Sequence, residues 1–236
     1  MALKAVLFDL DGTLLPLEQD AFIAAYIKQM VTYLARFGYD PKTMAAAVWA
    51  GSEDMIRNDG LATNEAVFWN RMADTLGPQV VADRAKFEQY YTEEYHRLRD
   101  ICGCDPEANA LVQRLKSQGI RVILATNPVF PAIATNQRIA WAGLDKDDFE
   151  LVTTYENSVF CKPNPQYYTA ILEQLGLNAE ECMMVGNDIL DDMPARELGM
   201  SVFLLTDHLV NRKNLPLDAY PHGDFAALNA YIDQLI

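Results

Sequence analysis

The sequence predicts an α/β fold, a Rossmann-like parallel sheet core with helices on both faces, plus an inserted all-helical domain. From about residue 105 onward, short apolar runs alternate with amphipathic helical segments, which is typical of a parallel sheet covered by helices. One further apolar run lies at the start of the chain. Residues 16–100 show helical periodicity and no clear strand, which indicates that a helical unit interrupts the sheet.

The predicted strands are short apolar segments bounded by Gly, Pro, Asp or Asn. Near-continuous apolar runs of this length are typical of strands that are buried on both faces. The segments are residues 4–9, 121–126, 149–154, 182–186 and 201–206. We therefore expect them to form one parallel sheet whose helical connections cover both faces.

Two helices of the core carry clear start and stop signals. Asp105 is a suitable N-cap, Pro106 fits the first turn, and Gly119 ends the apolar pattern. Residues 165–176 repeat this plan, with Pro at the start and Gly at the end. Both helices follow the alternation of strand and helix that a parallel sheet requires.

The inserted unit has apolar residues at helical spacing in three segments. These segments are residues 22–38, 67–77 and 87–95. The small residues at 51–52 are interpreted as a break between helices, and Arg57 beyond them as a solvated helix residue. Trp49 and Trp69 are predicted to lie in the core of the bundle.

These patterns divide the chain into two predicted domains. The α/β core comprises residues 1–15 and 101–236, and the helical domain comprises residues 16–100. Each unit is large enough to bury a core of its own. The sequence does not indicate how many subunits assemble.

Composition excludes several classes of partner. The chain has 236 residues, and its 19 basic and 33 acidic residues give a formal net charge of −14. Because such a charge repels nucleic acid backbones and anionic membranes, we expect neither as a partner.

The sequence shows neither a membrane-spanning apolar stretch nor a signal peptide, which predicts a cytoplasmic protein. Four cysteines are expected to be reduced, namely Cys102, Cys104, Cys161 and Cys182.

Two carboxylates close the first predicted strand, in the segment Phe8-Asp9-Leu10-Asp11-Gly12-Thr13. The alternation of a strand places Asp9 and Asp11 on the same side, at the edge where parallel sheets carry their sites. Close carboxylates repel each other, so they need a proton or a cation, and a hard ion such as Mg²⁺ suits oxygen ligands. The alternative is a polar turn that only ends the strand.

Polar residues also follow the second and third predicted strands. The second strand ends at Thr126 and Asn127, and Lys162 follows the third, before a Pro-x-Pro turn. Taken singly, Thr126 is an ordinary strand-ending residue and Lys162 an ordinary solvated lysine. Because all these segments follow strands of one predicted sheet, together they indicate a shared site at its edge.

The fourth predicted strand runs into an acidic segment, Gly186-Asn187-Asp188-Ile189-Leu190-Asp191-Asp192. Its carboxylates follow the same edge of the sheet and could complete a cation site. The alternative is that Asp191 and Asp192 are helix N-terminal acids that favour the helix dipole.

In this order, the four segments resemble the motifs of the haloacid dehalogenase-like (HAD) hydrolase superfamily. The matching residues are D-x-D-G-T at 9–13, Thr126, Lys162 and G-N-D-x-x-x-D at 186–192. The helical insertion after the first motif resembles the helical cap of that superfamily. The resemblance of the core covers residues 1–15 and about 105–210.

The resemblance implies a Mg²⁺-dependent phosphatase that hydrolyses a small phosphorylated metabolite through an aspartyl-phosphate intermediate. It implies that Asp9 is the nucleophile and Asp11 the general acid and base. Thr126, Asn127 and Lys162 are then the residues that bind the phosphoryl group, with Lys162 neutralising charge.

The same resemblance implies that Mg²⁺ is held by Asp9, the main-chain carbonyl of Asp11 and an acid of the fourth motif. In many members an Asp directly follows the Gly of that motif, whereas this chain has Asn187 there. We predict that Asp188 is the ligand, with Asn187 or Asp192 assisting directly or through water.

Other functions fit the sequence to different degrees. A sugar phosphomutase has the same motifs and stays open, as does a non-catalytic binding or regulatory protein that retains the fold. Dehalogenation is disfavoured because that branch lacks an acid two residues after the nucleophile, where this chain has Asp11. Serine-hydrolase chemistry is disfavoured because no G-x-S-x-G segment occurs.

Overall fold

A parallel sheet forms the centre of the computed structural model, which describes residues 2–236. Its strands are β1 (Ala5–Phe8), β2 (Arg121–Leu124), β3 (Cys182–Gly186), β4 (Ser201–Leu205) and β5 (His222–Gly223). Their spatial order is β2-β1-β3-β4-β5, and every neighbouring pair is parallel. The predicted α/β class and the parallel sheet are therefore confirmed.

The register of the central strands brings the predicted site segments together. Phe8 of β1 pairs with Leu124 of β2 on one side and with Val185 of β3 on the other. The residues that follow these three positions leave the sheet at one edge. Asp9, Thr126 and Asn187 are therefore placed near one another by strand pairing alone.

Residues 149–154 do not form the predicted strand. They run beside β2 and form one isolated parallel bridge, between Leu124 and Val152. Thr153 stays beside the end of β2, because its amide donates to the Leu124 carbonyl at 3.0 Å and its hydroxyl donates to the Thr126 carbonyl at 2.7 Å. Beyond it, the Tyr155 amide donates to the Phe130 carbonyl at 3.0 Å. The short strand β5 had no apolar run that could have predicted it.

Helices α6 (Pro106–Ser117), α7 (Ala132–Trp141), α8 (Pro165–Leu175) and α9 (Phe225–Ile232) cover the sheet. The predicted starts of α6 and α8 are confirmed, since Asp105 and Asn164 cap them by accepting from Glu107 N and Gln166 N. Alternate residues of β1 belong to separate hydrophobic clusters, Val6 and Phe8 to one and Ala5 and Leu7 to the other. Both faces of the sheet are therefore buried, as expected.

The segment between β1 and α6 is helical. It contains α1 (Gln19–Leu34), α2 (Pro41–Ile56), α3 (Asn64–Leu76), α4 (Gln79–Ala82) and α5 (Arg84–Glu93), followed by a 3₁₀ helix over Tyr95–Ile101. The expected helical insertion is thus present. Its domain boundaries stay a prediction.

Helix α2 corrects the predicted break at residues 51–52, because it runs through them without interruption. A Cβ atom on Gly51 would lie 2.7 Å from Cδ2 of Phe68 in α3. The small residue at this position therefore permits close packing of two helices. A Gly inside a helix is as consistent with such packing as with a break, and the sequence alone did not distinguish them.

The two tryptophans of the insertion have different environments. Trp69 is buried, as predicted, and packs edge-to-face on Phe87. Trp49 is 50% exposed, so its predicted place in the bundle core is wrong. It lies on the wall of a large cavity described below. Arg57 is exposed and pairs with Glu53, as expected of a solvated helix residue.

The start of α3 is fixed to the α/β core through Asn64, which is fully buried. Its Nδ2 donates to the Pro128 carbonyl at 3.2 Å, and its backbone amide donates to the Ser158 carbonyl at 2.9 Å. Asn58 Nδ2 in turn donates to Asn64 Oδ1 at 2.8 Å. The insertion is therefore anchored to the loops that precede Lys162.

Two further expectations concern the cysteines and membrane-spanning helices. All four cysteines are free thiols, with Cys161 and Cys182 buried. Within residues 2–236, no helix combines the length and the apolar character needed to cross a membrane.

Candidate active site

Asp9 and Lys162 form the centre of the candidate site. The amide of Asp9 donates to the Val185 carbonyl at 2.9 Å, so the last ladder contact of the strand fixes its backbone. Lys162 Nζ donates to Asp9 Oδ1 at 2.9 Å and to Asp192 Oδ1 at 2.6 Å. The Lys162 side chain is 1% exposed, so the predicted site lysine is a buried cation between two buried carboxylates.

Burial and charge shift the pKa values of this pair. Burial raises the pKa of Asp9 to about 7, although the charge of Lys162 opposes the shift. Burial alone would lower the pKa of Lys162, but Asp192 and Asp9 hold it well above its usual value. The lysine is therefore permanently charged, and it is the group that keeps a buried carboxylate at position 9 tolerable.

Two glycines let the acidic loops after β1 and β3 approach each other. Gly12 has φ of +82°, and a Cβ atom there would lie 2.2 Å from Asn187 Nδ2. A Cβ atom on Gly186 would lie 2.0 Å from Asp192 Oδ2. Thr13 Oγ1 donates to Asn187 Oδ1 at 3.2 Å across this contact. The Gly residues of the first and fourth motifs are thus needed for space.

The acids of the fourth motif are held by backbone amides. Asp192 Oδ2 accepts from the Asp188 amide at 2.9 Å, and Asp188 Oδ1 accepts from the Leu190 amide at 2.7 Å. Burial raises the pKa of Asp188, and it raises the pKa of Asp191 to about 6, with the charge of Asp188 adding to the effect. This part of the site therefore carries negative charge that a cation would stabilise.

Asn187 occupies the position after the Gly of the fourth motif, and both ends of its amide are engaged. Its Nδ2 donates to the His208 carbonyl at 2.6 Å, while its Oδ1 accepts from Thr13. Asp188 has one oxygen, Oδ1, bonded to backbone amides. Its other oxygen, Oδ2, has no hydrogen-bond donor within residues 2–236. The prediction that Asp188 rather than Asn187 is the metal ligand stays a prediction, and these contacts favour it.

The oxygen atoms around Asp9 suit a hard divalent cation. Asp9 Oδ2 has only a 3.5 Å contact from Thr13, and no donor among residues 2–236 reaches the Asp11 carbonyl. Asn127 Oδ1 is buried without a hydrogen-bond donor in the same part of the chain. Across these residues, no group of three or more His, Cys, Asp or Glu side chains is placed to hold a metal. The implied ligand set, two carboxylates and one carbonyl, does not require such a group and fits the residues present.

A cavity of about 810 Å³ opens between the helical insertion and this edge of the sheet. All eight residues that the sequence predicted for the site line it, namely Asp9, Asp11, Thr126, Asn127, Lys162, Asn187, Asp188 and Asp192. Thr126 is buried, and Asn127 Nδ2 donates to Asp191 Oδ2 at 3.2 Å. The four sequence segments therefore meet at one concave surface, which is where ligands bind in open α/β sheets.

The sequence model of the haloacid dehalogenase-like hydrolase family matches residues 3–199 of this chain. The chain belongs to the haloacid dehalogenase-like hydrolases. Phosphatases are found among its relatives. The phosphoglycolate phosphatase of Aliivibrio fischeri is 27% identical over 210 residues, which are 86% of this chain and 84% of that protein.

Two other comparisons extend this result. The ribulose-1,5-bisphosphate 5-phosphatase of Halopiger xanaduensis is 27% identical over 85% of this chain and 83% of its own length. The crystal structure of a HAD phosphatase from Thermococcus onnurineus superposes with a TM-score of 0.61 at 20% identity, over 98% of both chains, and supports the fold. The family match identifies the chain as a hydrolase, and the relatives found for it include proteins named as phosphatases.

One residue of this HAD site carries no sequence motif and was not predicted. Arg138 of α7 is fully buried, and its Nε lies 3.1 Å from Asp11 Oδ1. Its Nη1 donates to the Tyr95 hydroxyl at 3.0 Å, and its guanidinium lies 4.0 Å from the centre of the Phe130 ring. The sequence offered only one signal for this residue, which is that position 138 falls on the apolar face of α7.

The contact between Arg138 and Asp11 affects the pKa values of both side chains. Burial raises the pKa of Asp11, while the Arg138 charge works against that shift. Burial likewise disfavours the charge of Arg138, but Asp11 and Tyr95 keep its pKa above the usual value. Arg138 therefore holds the Asp11 carboxyl in one place, between the insertion and the sheet edge.

Proposed function

We propose that this HAD hydrolase is a Mg²⁺-dependent phosphatase that hydrolyses a small phosphorylated metabolite through a phosphoryl group carried on Asp9. The observation that carries the proposal is the buried Lys162 between Asp9 and Asp192, on the wall of the large cavity. The lysine is bonded to Oδ1 of Asp9, so it lies directly beside the carboxylate that attacks. Its charge also reduces the repulsion between a carboxylate and a phosphate dianion.

Each step of the proposed ester hydrolysis has a residue of the site that can carry it out. One carboxylate oxygen of Asp9 forms a bond to phosphorus while the bond to the ester oxygen breaks, and Asp11 gives a proton to that oxygen as it leaves. Thr126 and Asn127 hydrogen-bond the phosphoryl oxygens. Asp11 then takes a proton from the water that attacks phosphorus, which releases inorganic phosphate and restores the Asp9 carboxylate. Asp9, the Asp11 carbonyl and Asp188 would hold Mg²⁺, which when bound would supply positive charge beside the phosphoryl group.

The proposal is tested with the purified full chain and 4-nitrophenyl phosphate. We expect release of inorganic phosphate that requires Mg²⁺ and stops when EDTA is added. Acid quenching during turnover, followed by mass spectrometry of peptides, should find one phosphoryl group on the peptide that contains Asp9. Phosphate release that is unaffected by EDTA, or a phosphoryl group on another residue, would contradict the proposed mechanism.

The fourth motif gives a prediction about the metal ligand. Asp188→Asn is expected to weaken Mg²⁺ binding by about tenfold or more, because it removes a charged oxygen ligand. Asn187→Ala is expected to weaken it less, because the Asn187 amide is already bonded to Thr13 and His208. Titration calorimetry and the Mg²⁺ dependence of turnover measure both effects. The opposite order of the two variants would assign the ligand to Asn187.

Arg138 is proposed as a positioning residue, because it contacts Asp11 and no reacting atom. Arg138→Met should lower kcat/KM for an alkyl phosphate about 100-fold, because the poorly leaving alkoxide depends on a correctly placed proton donor. It should lower kcat/KM for 4-nitrophenyl phosphate much less, because nitrophenolate leaves without being protonated and kcat/KM does not report the later attack of water, in which Asp11 acts as base. Arg138→Lys should recover part of the loss on the alkyl ester.

The ratio of the two rates separates positioning from stability. A loss of folded protein lowers both rates equally, so urea denaturation of each variant serves as the control. An equal loss of kcat/KM on both substrates in a folded Arg138→Met protein would show that Arg138 does not act through Asp11 as the proton donor.

A further inference from the structure

The cavity has more negative than positive side chains around its wall. Its basic residues are Arg84, Lys162 and Arg212, and its acidic residues are Asp9, Asp11, Asp20, Glu65, Glu88, Glu156, Asp188, Asp191 and Asp192. Beyond the phosphate site, the wall is therefore unfavourable for a second anionic group on the substrate.

Each basic side chain of the cavity already has an acidic partner. Lys162 lies between two carboxylates of the phosphate site. Arg84 Nη1 donates to Glu65 Oε1 at 3.0 Å, and Arg212 Nη2 donates to Asp20 Oδ1 at 2.7 Å. Of the described residues that line the cavity, none offers a cation without such a partner.

Most of the remaining wall is apolar and rich in aromatic rings. Helices α1, α2, α3 and α5 contribute most of these side chains, and the α/β core adds Phe130 and Tyr155. The aromatic residues from the helices are Phe22, Tyr26, Trp49, Phe68, Trp69, Phe87 and Tyr91. Trp49 keeps half of its surface exposed, and Ile56 keeps 45% exposed. These exposed apolar side chains on a cavity wall can be covered by an apolar ligand.

The aromatic wall is held in place relative to the phosphate site. Asn64 at the start of α3 is buried and bonded to the Pro128 carbonyl and to the Cys161 sulfur, next to Lys162. Phe68 and Trp69 follow one turn later on the same helix. The distance between the phosphate site and this part of the wall is therefore fixed by the buried contacts of Asn64.

From this arrangement we infer that the substrates are phosphate monoesters of bulky, uncharged alcohols with an apolar, ring-sized body. The inference rests on the proposed phosphatase function and names the class of alcohol it releases. The phosphate occupies the site of Asp9 and Lys162, and the alcohol portion packs against Trp49, Phe68 and Ile56. A small hydroxy acid phosphate fills little of the cavity and places its carboxylate among acids.

Arg84 is the residue that would have to bind the substrate if the substrate carried a second anionic group. Its Nε is buried without a hydrogen-bond partner within residues 2–236, and its guanidinium lies 4.7 Å from the centre of the Trp69 ring. If this arginine left Glu65 to bind a substrate anion, a second anionic group would be favoured instead. The bonded pair of Arg84 and Glu65 in the structure argues against that arrangement.

The test compares three esters with the purified full chain and Mg²⁺: 2-phenylethyl phosphate, ethyl phosphate and 2-phosphoglycolate. Burial of the phenyl group should raise the specificity constant kcat/KM about 10- to 100-fold over ethyl phosphate, chiefly through tighter binding. Phosphoglycolate should be the poorest of the three substrates. A preference of the enzyme for phosphoglycolate over the phenylethyl ester would overturn the inference.

Two variants test whether the cavity wall causes the preference for 2-phenylethyl phosphate over ethyl phosphate. Trp49→Ala should reduce the preference for 2-phenylethyl phosphate over ethyl phosphate about tenfold. Phe37→Ala is the matched control, because Phe37 is a partly exposed aromatic residue of the insertion that does not line the cavity. It should leave the preference unchanged, and an equal change in both variants would overturn the inference.

Two further results separate this inference from the function on which it rests. Arg84→Met should not lower the specificity constant for phosphoglycolate relative to that for ethyl phosphate. A selective tenfold loss would assign an anion site to Arg84 and overturn the inference alone. If 4-nitrophenyl phosphate and all three esters stay intact with Mg²⁺ present, the proposed phosphatase function itself is wrong.

Discussion

Asp9→Asn is expected to lower kcat for 4-nitrophenyl phosphate by at least about 10⁴-fold, because an amide oxygen cannot replace the attacking carboxylate. The variant keeps the shape of the side chain and its contact with Lys162, so substrate binding should persist. Asp147→Asn, at an exposed position outside the cavity, is the matched control and should retain full activity. Initial rates with Mg²⁺ measure both variants.

The same substitution should increase stability, and the increase should depend on pH. Burial raises the pKa of Asp9 from its ordinary 3.8 to about 7, so the folded protein binds this proton more tightly than the unfolded chain. The free energy of unfolding of the unsubstituted protein therefore falls as the pH rises from 3.8 to about 7, relative to Asp9→Asn. Above that range the difference should stay constant.

Urea denaturation in EDTA at pH 5 and pH 8 measures this difference. The stability advantage of Asp9→Asn should be larger at pH 8, because the buried carboxylate is then charged in the folded protein. An unchanged advantage would show that Asp9 is not destabilised by burial. Turnover within tenfold of the unsubstituted protein would show that another group attacks phosphorus.

The parts of the fold that the sequence predicted are those where local pattern and tertiary position agree. The strands Ala5–Phe8 and Cys182–Gly186 are apolar because both faces of the sheet are covered, and that pattern is visible in a single sequence. The strand His222–Gly223 has only two residues and one exposed side chain, so nothing local marks it. At residues 149–154 the local pattern indicated a strand, but the segment forms only one isolated bridge to β2, between Val152 and Leu124.

Asp9, Thr126 and Asn187 were predictable because they follow strand ends, and strand ends of a parallel sheet meet. Lys162 follows residues 149–154, which run beside β2 but form only one isolated bridge with it. Arg138 was not predictable in this way, because it reaches Asp11 from the body of a helix and carries no motif. Its role depends on the packing of α7 against the insertion, where Tyr95 and Phe130 surround it. Trp49 was misplaced for a different reason, since it lies in α2, outside the three segments whose helical spacing was recognised, and nothing in the sequence showed that it borders a cavity.

Lys162→Met is expected to lower kcat about 10²- to 10⁴-fold, because the substitution removes the charge that offsets repulsion between Asp9 and the phosphate. It should also destabilise the protein by about 3–5 kcal/mol, because Asp9 and Asp192 then lose their common buried partner. Methionine has nearly the length of lysine, so little of the effect comes from lost packing. Urea denaturation and initial rates measure the two effects separately.

A double variant separates the catalytic effect of Lys162 from its structural effect. Adding Asp192→Asn to Lys162→Met removes one of the two unpaired buried charges, so part of the lost stability should return. Activity should not return, because the charge beside Asp9 is still missing. If the double variant regained turnover together with stability, Lys162 would act only by holding Asp192. If the single variant kept normal turnover, charge neutralisation at Asp9 would not be part of catalysis.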